Sequence, residues 1–136
     1  MRKIYINPKN KHNMEEYENW FEQAKADLTT ANNSHNSKDF YASCFWSQQA
    51  VEKSLKSLII KNTKKLQKTH DLIILSRLIN LPEQLKDKIK SLSGIHVETR
   101  YGIIGDIIPA KNYNEKDSKR FMDIAQEVLL WIKEKI

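Results

Sequence analysis

Apolar residues recur at three- and four-residue intervals through most of the chain, the spacing that puts them on one side of an α-helix. Tyr17, Trp20, Phe21, Ala24, Leu28 and Ala31 make the first such stripe. Asn13 stands three residues before Glu16, a capping-box spacing, and predicts a helix from about 14 to 32. The run Asn32 to Ser37 is made of short polar residues whose side chains compete for backbone hydrogen bonds, which predicts a loop. A second helix is predicted from Asp39 to about Lys61. It carries Tyr41, Cys44, Phe45, Val51, Leu55, Leu58 and Ile59, with Glu52 and Lys56 spaced as an i,i+4 ion pair on a solvated face.

Thr69 suits the cap of a short third helix, His70 to Asn80, whose apolar residues occupy nearly every side and predict strong burial. Pro82 fits the start of a fourth helix that Gly94 would end. Residues 95 to 113 hold Gly102, Gly105 and Pro109 and form the least regular stretch. Asn114 and Asp117 repeat the cap spacing and open a long last helix, with Phe121, Ile124, Ala125, Val128, Trp131 and Ile132 on one face. About five amphipathic helices predict an all-α fold, an antiparallel up-and-down bundle. No internal repeat or break in composition divides 13–136, which reads as a single domain behind a basic arm, 1–12, with Arg2, Lys3, Lys9 and Lys11.

Composition narrows the class. A chain of 136 residues suits one domain and can hold a core without metal or disulfide staples. Three Gly and three Pro are too few for a turn-rich barrel or a low-complexity linker. The single cysteine, Cys44, excludes a disulfide framework and reads as a small buried hydrophobe among Phe40, Tyr41, Phe45 and Trp46. The absence of a long apolar span or signal-type segment leads to the expectation of a cytoplasmic protein with no membrane association. A formal net charge of +6 suits an anionic partner.

Motifs that would specify an enzyme are absent: no Gly-rich phosphate loop, no HExxH, no Gly-x-Ser-x-Gly, and no histidine at zinc-ligand spacing from another His or Cys. Accordingly no metal and no cofactor is expected. Gln49 and Lys53, four residues apart, share a helix face and can point an amide and an ammonium into one groove. Asp27 lies at the edge of the first apolar stripe, where a carboxylate needs a partner; Lys53 or Arg100 can serve. His96, Arg100 and Tyr101 form a third candidate: His96 and Arg100 would stand one helical turn apart, able to grip a phosphate or assist proton transfer. His70 and Asp71 read as a helix start, with Asp71 complementing the dipole. The lysines of 61–68 and the N-terminal arm can hold phosphates but lack interleaved aromatic side chains to stack bases.

Four pieces in order resemble one family. Trp20-Phe21-x-x-Ala24-x-x-Asp27-Leu28-x-x-Ala31, Ser47 to Leu58, His70-Asp71-Leu72-x-x-Leu75, Thr99-Arg100-Tyr101 and a closing helix with Trp131 are together similar to the HEPN family over about 14 to 135. The resemblance implies a compact helical bundle that forms homodimers. It also implies nucleotide or RNA biology, often beside a separately encoded minimal nucleotidyltransferase in a toxin–antitoxin pair. RNA-cutting HEPN members carry an Arg followed after four to six residues by His, for metal-independent cleavage. Arg100 is followed by Tyr-Gly-Ile-Ile-Gly-Asp-Ile, without that histidine. The sequence is therefore read as a HEPN-like binding module for a nucleotide or nucleic acid, with Gln49, Lys53, His96, Arg100 and Tyr101 as ligand contacts and Asp27, Glu52, His70 and Asp71 as structural polar residues. A ribonuclease toxin using His96 and Arg100, and a helical assembly module, are the alternatives.

Overall fold

The computed structural model describes residues 14–95 and 109–136. The basic arm, Asn13, His96, Arg100 and Tyr101 lie outside them. Among the described residues the chain is helical, without a strand: α1 (Glu16–Asn36), α2 (Phe40–Thr63), α3 (Leu72–Leu78), α4 (Glu83–Lys90), a 3-10 turn (Pro109–Lys111) and α5 (Glu115–Lys135).

Local chemistry explains most boundaries. The N-cap of α1 is Glu15, whose backbone N–H donates to the Glu18 carboxylate at 3.4 Å, so the expected cap at Asn13 is displaced by two residues. At its other end α1 runs four residues beyond the expected stop, through Asn36. Tertiary contacts hold this polar turn: His35 Nδ1 lies 2.6 Å from the buried Ser118 Oγ, and its ring packs 5.6 Å from that of Phe40. The helix then closes with Lys38 at φ 64°, Lys38 N–H donating to His35 O and Asp39 N–H to Ser34 O, a Schellman motif built on lysine rather than glycine.

Asp71, not Thr69, caps α3; its Oδ1 accepts from the N–H groups of Ile73 and Ile74 at 2.9 and 3.2 Å. Thr69 acts one step earlier, its hydroxyl accepting from Asp71 N–H. The helix is shorter than the expected 70–80, and it is not enclosed: Leu72 and Leu75 are buried while Ile74 and Leu78 face outward. A second Schellman closure, with Asn80 at φ 54° and Leu81 N–H donating to Ser76 O, turns the chain toward Pro82, which opens α4. That helix ends at Lys90 rather than Gly94. The N–H groups of Ser91 and Leu92 bond back to Lys88 and Ile89 and tighten the last turn, while a Cβ added at Gly94 would meet nothing within 4 Å. The Asn114–Asp117 box forms at the start of α5, with reciprocal bonds of 3.0 Å.

Helix α2 packs against α1, α3, α5 and the 3-10 turn. Fully buried Ala24, Ala31, Ala50 and Ala125 let neighbouring backbones approach, and Val51, Leu55, Ile59, Phe121, Val128 and Ile132 fill the space between. A three-residue turn at 37–39 makes α1 and α2 antiparallel. Lys61, in the last turn of α2, donates to Lys135 O at the end of α5, so α2 and α5 run the same way and α1 runs against both. Leu55→Ala, at a site with 0% exposure, is expected to cost about 2–5 kcal/mol in urea unfolding, whereas Leu130→Ala, at 62% exposure, is expected to stay within about 0.5 kcal/mol of the parent.

Candidate functional site

Where α1 and α2 face each other, two carboxylates are buried and each meets a lysine. Lys53 Nζ of α2 donates to Asp27 Oδ2 of α1 at 2.5 Å; the Asp27 side chain is 3% exposed and that of Lys53 21%. Gln23 Nε2 donates to the other oxygen, Oδ1, at 2.9 Å, so Asp27 is satisfied on both sides. Lys53 also lies 5.9 Å from the centroid of the Trp46 ring. Of the two partners that the sequence offers Asp27, Lys53 is the one in place; Arg100 is outside the described residues.

One turn along α2, Glu52 and Lys56 form the i,i+4 pair at 3.1 Å, but both side chains are 5% exposed, so this is an internal pair and not a surface one. Its burial comes from partners distant in sequence. Lys56 Nζ sits 5.8 Å from the Trp20 ring of α1, and His70 Nδ1, from the connection before α3, lies 2.9 Å from the same Glu52 oxygen. Donation to a carboxylate requires the proton on Nδ1 of the imidazole. Burial alone raises the pKa of Glu52; the hydrogen bond from His70 and the charge and hydrogen bond of Lys56 outweigh it and hold the carboxyl below its ordinary 4.5. Beside this pair, Gln48 is fully buried and its Oε1 accepts from Gln49 Nε2 at 2.8 Å. Gln48 Nε2 and Glu52 Oε1, one turn apart, have no partner among the described residues.

Gln49 and Lys53 thus share a face, but the Gln49 amide is engaged by Gln48 and the Lys53 ammonium by Asp27. Two of the three Lys53 protons remain for another acceptor. Next to Lys53 is a shallow depression of about 270 Å³ lined by Asn19, Trp20, Gln23 and Lys53. Sequence reasoning passed over Asn19 and Gln23. Their signal is the spacing Asn19, Gln23, Asp27, an i,i+4 row of polar residues along the edge of the apolar stripe.

Among the described residues one hydroxyl lies against a ring nitrogen, Ser118 Oγ beside His35 Nδ1, but Ser118 is fully buried; no group of three or more His, Cys, Asp or Glu could hold a metal. Burial, with the Asp117 charge adding and Arg120 opposing, pushes the Cys44 thiol up to about 12, so it stays protonated and inert. A larger groove of about 900 Å³ runs between α4 and α5. Its lining includes two ion pairs, Lys88 with Glu127 at 2.8 Å and Lys119 with Asp123 at 2.7 Å.

The family model described as the HEPN domain matches residues 17–136, which span α1 to α5 and the charged pairs between α1 and α2. The chain belongs to the HEPN domain family. Among solved structures, this HEPN domain is similar to TT1696 from Thermus thermophilus, with a TM-score of 0.80 and 29% identity over 90% of this chain and 100% of that one. ST0689, an archaeal HEPN homologue, aligns with a TM-score of 0.76 and 27% identity over 90% of this chain and 98% of its own. A HEPN domain protein from Thermotoga maritima shares the fold at a TM-score of 0.67 and 19% identity, over 85% of this chain and 95% of its own. No curated protein matches the chain. Among the described residues no helix is long and apolar enough to cross a membrane.

Two outcomes follow for the charged pairs. Lys53→Met leaves the Asp27 carboxylate buried without its cation and is expected to cost about 1–3 kcal/mol; Asp27→Leu with Lys53→Met is expected to recover most of that loss in a double-mutant cycle. Because the folded pKa of Glu52 is depressed, its contribution is complete above pH 4.5 and is lost as the pH falls through the folded pKa below that value. Acid unfolding followed by circular dichroism is therefore expected to be less steep below pH 4.5 in Glu52→Gln than in the parent.

Proposed function

We propose that this HEPN domain is a binding module for a nucleotide or nucleic acid, acting as one component of a toxin–antitoxin pair with a minimal nucleotidyltransferase and itself dimeric. The observation that carries the binding reading is the depression beside Lys53, where an indole, two carboxamides and a half-buried ammonium converge within about 270 Å³. A base can stack on Trp20, an interaction worth about 1–3 kcal/mol. Asn19 and the free carbonyl oxygen of Gln23 offer hydrogen bonds to a base edge, and the remaining Lys53 protons offer a contact to phosphate. Asp27 beneath Lys53 fixes the ammonium in place, so little side-chain entropy is left to lose on binding.

A purely binding role agrees with the missing Arg-x4-6-His spacing and with the protonated Cys44 thiol. Titration of ATP and of a short single-stranded RNA, read by tryptophan fluorescence and calorimetry, is expected to show binding that weakens about 5- to 100-fold in Trp20→Ala and more mildly in Gln23→Ala. Absence of binding to both, or binding indifferent to Trp20→Ala, rules the site out. RNA incubated with the protein in EDTA is expected to stay intact; cleavage lost in both His96→Ala and Arg100→Ala would establish the ribonuclease alternative instead.

A further inference from the structure

The face of α3 that points away from the core is apolar and carries a cation, Arg77. Leu72 and Leu75 turn inward, leaving Ile74, Arg77 and Leu78 together at i,i+3 and i,i+4 on the outer side, with Ile74 46% and Leu78 51% exposed. Five large apolar side chains are exposed among the described residues, and three of them, Leu66, Ile74 and Leu78, fall between 66 and 78. Lys65 and Lys68 lie in the connection that feeds α3, and Arg77 separates its two outward aliphatic residues. All three are exposed, and none has an ion-pair partner among the described residues. The one carboxylate in this stretch, Asp71, is occupied with the α3 cap. Elsewhere, as at Lys25, Lys86, Lys88, Lys90 and Lys119, surface lysines sit against acids.

We propose that the outer face of α3, Ile74, Arg77 and Leu78 with the lysines leading into it, docks an acidic amphipathic helix of another protein. Charge complementarity selects this occupant. A second copy of the chain meeting the face by a two-fold axis would set unpaired cations against themselves. Nucleic acid would satisfy the charge but not the aliphatic pair: between 64 and 78 the only ring is His70, which bonds Glu52, so there is no platform for bases. A seven-residue helix with two outward aliphatic residues offers little area to a lipid interface. A helix bearing Leu-type residues one turn apart, with Glu or Asp on both sides, matches the apolar pair and the cations at once. This face shares no residue with the depression at Trp20, so the proposal stands apart from the nucleotide reading.

The test uses the full chain and a fluorescein-labelled helical peptide of about 18 residues, with Leu at i, i+3, i+4 and i+7 and Glu beside them, followed by anisotropy. A scrambled peptide of equal charge, a short poly-uridine RNA and phosphatidylserine vesicles serve as controls. Salt-sensitive binding of the ordered peptide is expected, weakened at least about tenfold in Ile74→Asp/Leu78→Asp and several-fold, with a smaller salt dependence, in Lys68→Glu/Arg77→Glu. These positions are exposed, so circular dichroism of the variants is expected to match the parent. No peptide binding, equal binding of the scrambled peptide, unchanged affinity in both variants, or stronger α3-dependent binding of RNA or vesicles overturns the proposal. Loss of nucleotide binding in Trp20→Ala with peptide binding intact separates the two sites.

Discussion

Helix α2 is covered by α1, α3 and α5, so polar residues placed along it must find partners inside the protein. Of its 24 residues 14 are buried, among them Gln48, Glu52 and Lys56. A carboxylate or an ammonium in that position is tolerable only when paired, because its desolvation cost otherwise exceeds what neighbouring packing returns. The α1–α2 register follows from this requirement: Asp27 must meet Lys53, Trp20 lies beside Lys56, and the connection after α2 must bring His70 back to Glu52. Slipping α1 along α2 by one turn would break Asp27–Lys53 and displace Trp20 from Lys56. An apolar stripe alone, which tolerates a shift between neighbouring turns, does not impose that register.

The same pairs shape what the surface can offer a ligand. Because Asp27 and Glu52 neutralise Lys53 and Lys56, the net charge of +6 is not concentrated where the family motif lies. The α1–α2 face presents one anchored lysine beside an indole and two amides, a surface suited to a flat ligand with a single anionic group. On α3 a cation without an ion-pair partner among the described residues, Arg77, stands beside aliphatic rather than aromatic side chains. The two faces differ in chemistry and suit different classes of partner.

Elements governed by local chemistry were legible in the sequence. The Asn114–Asp117 box, the proline start of α4, the extent of α2 and the helical class all depend on residues a few positions apart. The HEPN pattern was legible for the same reason, being a set of short motifs in order. The caps at Glu15 and Asp71 and the stop at Lys90 lie a few residues from those expected at Asn13, Thr69 and Gly94; the larger misses depend on partners far along the chain. The polar run 32–36 is helical because Ser118, 83 residues beyond His35, receives its ring. The i,i+4 spacing of Glu52 and Lys56 was readable, but nothing in their immediate neighbours announced that Trp20 and His70 would enclose them. In α3 the apolar residues on all sides implied burial on all sides; the neighbours that pack against it bury Leu72, Leu75 and Ser76 and partly cover Ile73, leaving Ile74 and Leu78 exposed. At the site, Lys53 and Asp27 were legible as a possible pair, while the depression beside them required the packing of α1 against α2 to be known.

The shared direction of α2 and α5 has a consequence for how the chain assembles. The α1–α2 hairpin closes across the three residues 37–39, so its contacts form with little loss of chain freedom. Bringing α5 alongside closes a far longer segment, as the 83-residue separation of His35 and Ser118 measures. Since closure entropy grows with loop length, that second step carries more of it than the first. The entropic cost of the topology is thus concentrated in one event, the docking of the last helix onto a hairpin that local contacts can already hold together.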